Sequence, residues 1–226
     1  MPLKVIFTTL FAKTAISETS ILLNYLSEDD KAKYLSIRDP KYRMHFLTGR
    51  ILALNLFRKL SPDSSSSINL DNNGKPHFAG RPEWGLSITH SNELVACAIN
   101  TRGVIGLDTE FIRPINLRFF DSHFLRKERD FINQHKTPIK TFFHLWTRKE
   151  ALSKAHGVGL GLDFRNIDAT KDRFLLGRNQ MSLTELKLEA GYITSIAHPS
   201  LSINCSIYVQ KISISNLFHS ILKITP

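Results

Sequence analysis

Gly106-Leu107-Asp108-Thr109-Glu110, read together with Trp146-Thr147-Arg148-Lys149-Glu150-Ala151-Leu152-Ser153-Lys154, decides how this chain folds. Alternating side chains in the first stretch make it a strand, so Asp108 and Glu110 project to one side, roughly 7 Å apart. The second stretch has helical spacing and places Glu150 and Lys154 one turn apart on a shared face. Three carboxylates and an ammonium then converge. Magnesium takes oxygen ligands from one or two carboxylates together with substrate phosphates and water, so the set reads first as a metal-phosphate site.

Outward from these two pieces the pattern is mixed. Val104 to Phe111 reads as a central strand, and Phe142 to His156 as a helix stopped by Gly157, followed by the glycine-rich exit Val158-Gly159-Leu160-Gly161. Upstream, Lys4 to Phe11 suits a first strand, and Ser27-Glu28-Asp29-Asp30 has capping-box spacing for a short helix towards Ser36. Asp39-Pro40 opens a longer helix whose apolar stripe is Phe46, Leu47, Ile51, Leu54 and Phe57. Arg43 and Arg50 lie seven apart on that helix and form a candidate phosphate clamp. Asp71-Asn72-Asn73-Gly74-Lys75-Pro76 is a turn carrying one lysine. Leu86 to Ile88 and Glu93 to Ile99 alternate as strands, with Thr89-His90-Ser91-Asn92 read as the turn between them. From Asp163 onward, Arg165 to Asp168, Phe174 to Leu176, Leu183 to Leu188, Tyr192 to Ala197 and Leu201 to Val209 read as antiparallel strands. The tail beyond Ile212 gives no signal. No long linker splits the chain, and no strong internal repeat is present.

Composition sets the outer limits. With 226 residues, 42% of them hydrophobic and 22% charged, the chain can bury one large core or two smaller ones. The net charge of +10 is uneven: residues 1–112 hold 13 Lys and Arg against 11 Asp and Glu, whereas 113–226 hold 17 against 9. Such a field attracts nucleic acid, anionic lipid or an acidic protein, and charge alone does not choose. Residues 115–140 concentrate it: Arg118, Arg126, Lys127, Arg129, Lys136 and Lys140 are spread through Phe119, Phe120, Phe124, Leu125 and Phe131. Cys97 and Cys205 lie in apolar runs and read as buried thiols of a reducing compartment. No stretch has the apolar length of a membrane span, and no targeting signal is evident, so the expectation is a cytoplasmic protein. A Walker loop, a dinucleotide fingerprint, a Cys/His zinc cluster and a nucleophile-elbow serine are all missing from the sequence. What remains is carboxylates for Mg²⁺ and the cations Arg43, Lys75, His90 and Lys154, suited to transfer from a phosphate-rich donor. A non-enzymatic nucleic-acid-binding protein is the alternative, although the aromatics sit in apolar periodic runs and no binding motif is present.

Four motifs in order, Gly74-Lys75-Pro76, Ser87-Ile88-Thr89-His90-Ser91, Ile105-Gly106-Leu107-Asp108-Thr109-Glu110 and Trp146 to Lys154, resemble the 4′-phosphopantetheinyl transferases of the larger, monomeric, Sfp-like type. The likeness covers about residues 40–165. It implies a pseudo-dimer of two similar α+β halves, 1–102 and 103–226, with the active site between them. It also implies transfer of the phosphopantetheine arm of coenzyme A to a serine of an acidic apo carrier protein, by a monomer that needs neither nucleic acid nor membrane. Asp108, Glu110 and Glu150 would surround Mg²⁺. Glu150 and Lys154 would be catalytic, the first as general base and the second neutralising the departing pyrophosphate. Arg43, Lys75, Thr89, His90, Asp108 and Lys154 would contact the coenzyme, with Lys41 as a stand-in for Arg43. The resemblance has two departures: Thr89 stands where Ser is usual, and Thr109 where an aliphatic residue is usual, with a side chain expected to face away from the metal. The basic stretch 115–140 would dock the carrier.

Overall fold

Asp39 and Pro40 start the longest helix among the described residues because the Asp39 carboxylate accepts the Tyr42 N–H at 3.0 Å and the proline needs no partner for its nitrogen. In the computed structural model, which describes residues 3–10, 19–62, 66–157, 163–176, 179–200 and 206–222, the chain divides into two units. The first comprises residues 1–103 with 205–226, and the second comprises 104–204.

In the first unit, β1 (Leu3–Thr9), β4 (Gly85–Ser91), β5 (Leu94–Asn100) and β10 (Ile207–Lys211) form a sheet in the order β10-β1-β5-β4. Only β1 and β10 run parallel within it; the other pairs are antiparallel. A short hairpin of β2 (Ile68–Leu70) and β3 (Pro76–Phe78) stands beside it. α3 (Pro40–Leu60) lies on this sheet and buries Leu47, Ile51, Leu54 and Phe57 with Ile6, Val95, Cys97 and Ile99. Close approach is possible at Gly49, where a Cβ would come within 2.7 Å of the Ile88 side chain. α1 (Thr19–Leu23) and α2 (Glu28–Ser36) complete the region, with the Ser27 hydroxyl accepting the Asp30 N–H at 3.2 Å. The tail beyond Ile212 forms α6 (Ile214–Leu222), which packs Leu217, Phe218 and Ile221 into the core of this unit. The expected second half ran to residue 226; β10 and α6 belong instead with the first unit, because β10 adds a strand to β1.

In the second unit, β6 (Gly106–Phe111), β9 (Tyr192–Pro199), β8 (Asn179–Leu186) and β7 (Arg173–Leu176) form an antiparallel sheet in that order. α5 (Pro138–His156) crosses it over β6 and β9. A 3₁₀ segment, Leu117–His123, and α4 (Arg126–Gln134) cover the outer side of α5 through Phe120, Phe124 and Ile132. Residues 165–168 are not the expected strand: a 3₁₀ turn, Phe164–Asn166, is set by the Asp163 carboxylate accepting the Arg165 N–H at 3.0 Å. The glycine-rich exit 158–161 and most of the expected strand from Leu201 lie outside the described residues. Cys97 is a free, buried thiol. No helix among the described residues is long and apolar enough to cross a membrane.

Candidate active site

The site residues of the second unit are placed by one backbone contact. A Cβ on Gly106 would fall 1.8 Å from the Ala151 carbonyl oxygen and 2.5 Å from the Ala155 nitrogen, so β6 lies directly against α5 only because this residue has no side chain. Gly106, Asp108 and Glu110 share a strand face, paired with Ala197, Ser195 and Ile193 of β9. Both carboxylates are therefore carried on the α5 side of the sheet. The helix is pinned in turn by the Thr147 and Ser195 hydroxyls, 2.9 Å apart. Thr109 points the other way, its hydroxyl 2.7 Å from that of Thr194, which makes it a packing residue of the opposite face.

Each residue of the helical motif then has a distinct neighbour. Trp146 stacks on Phe142 and meets Phe120 and Phe164 edge-on. Arg148 and Lys149 turn into the interior behind the helix. Lys154 reaches across to Asp108, with Nζ and Oδ1 2.6 Å apart; the Asp108 side chain is 8% exposed and that of Lys154 31%. Glu150, one turn before Lys154, has its carboxyl pushed up from 4.5 to about 6. Burial is the main cause; the Asp108 charge adds to it, Lys154 opposes it, and Glu110 adds further. Glu110 also holds Arg113 at 3.1 Å, a partner three residues along that only the end of β6 brings round.

This set brings together four of the expected residues: Asp108, Glu110, Glu150 and Lys154. It does not draw the three carboxylates into a closed ligand set, and among the described residues no group of three His, Cys, Asp or Glu side chains stands at metal-binding range. The physical reason is charge: Lys154 stands at Asp108 and Arg113 at Glu110, each salt bridge occupying an oxygen that a cation would take. The donors still fit magnesium in kind, being hard carboxylate oxygens, and burial together with the Asp108 and Glu110 charges raises the Glu150 carboxyl in a way that a cation would relieve.

The expected coenzyme residues of the first unit are placed less uniformly. Thr89 and His90 are not in a turn; both belong to β4, and the turn is Asn92-Glu93, with Asn92 in the left-handed region at φ 49°. As neighbours on a strand they face opposite ways, and Thr89 is buried. His90 stacks on His45 with ring centres 4.6 Å apart and has Tyr42 edge-on at 5.4 Å. His45 in turn donates from Nε2 to the Asn92 carbonyl at 2.8 Å, and burial holds its pKa below the ordinary imidazole value. Lys41 also reaches this hairpin tip, bonding Asn92 Oδ1 at 3.1 Å. Arg43 is directed elsewhere: its guanidinium donates twice to the Ile37 carbonyl, at 3.0 and 2.6 Å, over the Tyr34 ring. Arg50 is no clamp partner for it, since it is buried against Asp30 at 2.9 Å. Lys75 sits in the β2–β3 turn, where the Asp71 carboxylate accepts its backbone N–H at 2.9 Å, and burial lowers its ammonium pKa. His45 and Tyr42 were not anticipated from the sequence; the signal was a histidine one turn after Lys41, on the same helix face.

A profile described as the 4′-phosphopantetheinyl transferase superfamily matches residues 104–197, the stretch that contains every residue of the second-unit site. Over that stretch the chain is similar to that superfamily. Among curated relatives of this superfamily, it is 31% identical over 155 residues to 4′-phosphopantetheinyl transferase HetI of Nostoc sp. (strain PCC 7120), covering 64% of this chain and 65% of the relative. It is 28% identical to 4′-phosphopantetheinyl transferase Sfp of Bacillus subtilis (strain 168), over 61% of this chain and 68% of the relative. To 4′-phosphopantetheinyl transferase AcpT of Salmonella typhi it is 32% identical, over 57% of this chain and 66% of the relative. The matched region thus spans about two thirds of the length of these superfamily members.

Proposed function

We propose that this protein transfers the 4′-phosphopantetheine arm of coenzyme A to a serine hydroxyl of an apo acyl or peptidyl carrier protein, releasing adenosine 3′,5′-bisphosphate. The observation that carries the reading is the group formed by Glu150, poised at about 6, and the Asp108–Lys154 ion pair 2.6 Å across, on a segment matching the superfamily profile. A carboxylate with that pKa is ionised at neutral pH yet basic enough to accept a proton. Glu150 takes the proton of the carrier serine, directly or through a water. The serine Oγ forms a bond to the pantetheine-bearing phosphorus, and the P–O bond to the nucleotide phosphate breaks. Lys154 neutralises the charge that grows on that leaving phosphate. Asp108, Glu110 and Glu150 would hold Mg²⁺, which when bound supplies charge neutralisation on the pyrophosphate.

On this reading Arg43, Lys75, Thr89 and His90 are the nucleotide contacts, with His45 behind His90. The two units are read as related halves, a pseudo-dimer; what supports this is that each pairs a four-stranded sheet with one long helix seated at a glycine, Gly49 or Gly106. The boundary at 102–103 would separate nucleotide contacts from catalytic residues, and the enzyme would act as a cytoplasmic monomer. An acidic carrier suits the basic second half. Within residues 115–140, Lys127 is held by Asp168 at 2.6 Å and Arg129 by the carbonyls of Asp121 and Phe124. The docking surface therefore comprises the exposed Arg118, Arg126, Lys136 and Lys140, with Phe119, 78% exposed, next to Arg118.

The test is to incubate the protein with coenzyme A, Mg²⁺ and a panel of apo carriers and to weigh the carriers by mass spectrometry. The phosphopantetheine increment is expected on at least one carrier and should nearly vanish with Glu150→Gln, while coenzyme A still binds. No increment on any carrier rejects the reaction.

A further inference from the structure

Arg148 and Lys149 precede Glu150 on α5, and the reaction above uses neither. Lys149 is wholly buried, as is Glu128 of α4. The Lys149 ammonium donates to the Phe164 carbonyl at 2.7 Å and to the Ile167 carbonyl at 2.8 Å, and it lies 2.8 Å from Glu128 Oε2. An ammonium has three N–H groups, so these partners exhaust it and leave none for a phosphate. The rings of Phe124 and Phe164 close around it at 5.3 and 6.0 Å. Glu128 is equally saturated: Oε1 accepts the Ala169 N–H at 2.7 Å and Oε2 the Leu125 N–H at 2.8 Å. Arg148 adds a second attachment, from Nε to the Ala169 carbonyl at 2.6 Å and from Nη2 to Asp172 at 2.7 Å and to the Lys171 carbonyl.

Three separate segments are thereby joined at one point: α5, the start of α4, and the connection 164–172. A buried ion pair is a costly way to fill space, since apolar side chains of the same volume serve packing as well or better. What ions with saturated, directional partners add is a fixed register. The segment so registered is the one bearing the exposed Arg118, Phe119 and Arg126. It touches α5 again through Phe120, which lies 5.4 Å from Trp146 and 5.1 Å from Phe142. Trp146 lies about one turn before Glu150 on α5, and Phe142 about two turns before it.

We propose that Lys149 is a positioning residue: with Glu128 it locks residues 117–134, the carrier-docking element, in register with Glu150, so that a docked carrier delivers its serine to the base. The inference rests on the reaction proposed above. None of the residues assigned to coenzyme A touches the clamp, so its loss should separate carrier use from coenzyme binding.

Two variants test it. Lys149→Met/Glu128→Gln removes both charges together. Lys149→Arg keeps the charge but substitutes a planar fork that cannot meet the same three acceptors. Each is assayed well below its melting temperature for kcat and KM with the apo carrier and for coenzyme A affinity by calorimetry. The expected result is a fall in kcat/KM for the carrier of about tenfold or more, with coenzyme A affinity within about twofold of wild type. A smaller fall in a folded variant whose melting temperature has dropped means packing alone, and overturns the proposal. A parallel loss of coenzyme A affinity means general collapse, and overturns it too. Should both variants fail to fold, hydrogen exchange on the wild-type protein decides: the Leu125 and Ala169 amides are expected to be as protected as the middle of α5, and faster exchange overturns the clamp. Absence of transfer by the wild-type protein would reject the reaction itself, a result distinct from any of these.

Discussion

Replacing Glu150 by Gln should make the protein more stable and less active at once, and the gain should depend on pH. In the folded chain the Glu150 carboxyl is raised from 4.5 to about 6, chiefly by burial and then by the Asp108 charge. A raised carboxyl binds its proton more tightly when folded than when unfolded. Its contribution to stability is therefore fully present below the unfolded value and is lost as pH rises through the folded one. The shift corresponds to about 2 kcal/mol of destabilisation by the ionised group at pH 8, falling to less than about 0.5 kcal/mol at pH 4.5. Gln keeps the shape and removes the charge. For a chain of this size the pH 8 gain is about 4–8 °C in melting temperature, shrinking to a degree or so (roughly) at pH 4.5. The assay is paired thermal melts of wild type and variant at both pH values, with EDTA present so that no divalent cation neutralises the cluster. A variant equally stable to wild type at pH 8, or a gain of the same size at both pH values, would refute the claim that burial and like charge hold this group.

Other perturbations follow from particular contacts. Gly106→Ala forces a Cβ into the Ala151 carbonyl, a backbone atom that cannot swing aside; it should cost about 3 kcal/mol or more and abolish transfer, as read by denaturant melts and the mass-increment assay. Thr109→Val, on the opposite face, should cost about 1–2 kcal/mol through the bond lost to Thr194 yet leave turnover within about threefold, which separates that face from the chemistry. Charge reversal of Arg118, Arg126, Lys136 and Lys140 should raise KM for the carrier and flatten its salt dependence with coenzyme A affinity unchanged; an unaltered carrier KM would exclude this surface as the docking site.

Much of the second unit was legible because its signals are local. The period-2 pattern across Asp108 and Glu110 and the one-turn spacing of Glu150 and Lys154 fix which side chains share a face, and β6 and α5 follow them. The caps at Ser27 and Asp39 were readable for the same reason. What escaped depends on partners remote in sequence. The parallel pairing of β10 with β1 joins residues about 200 apart, and nothing in Ile207 to Lys211 announces it. Nothing local announces that the Arg43 guanidinium donates to the Ile37 carbonyl or that Arg50 is paired with Asp30. The hairpin tip lies two residues later than expected because Thr89 and His90 look like turn residues, whereas the left-handed position is Asn92. Lys149 lies inside the helical motif, yet a lysine gives no sign in sequence of being buried.

Gly106 also bears on how this site can change. The gap between the strand bearing Asp108 and the helix bearing Glu150 is set by main chain meeting main chain, with no side chain acting as spacer. Rotamer changes or volume swaps in the surrounding core therefore have little purchase on that gap. Laboratory evolution towards new carriers can remodel the outer side of α5, through Phe120, Trp146 and their neighbours, while the reacting geometry stays in place. The same glycine is a single point of failure, because no substitution elsewhere can restore a spacing that only a missing side chain permits.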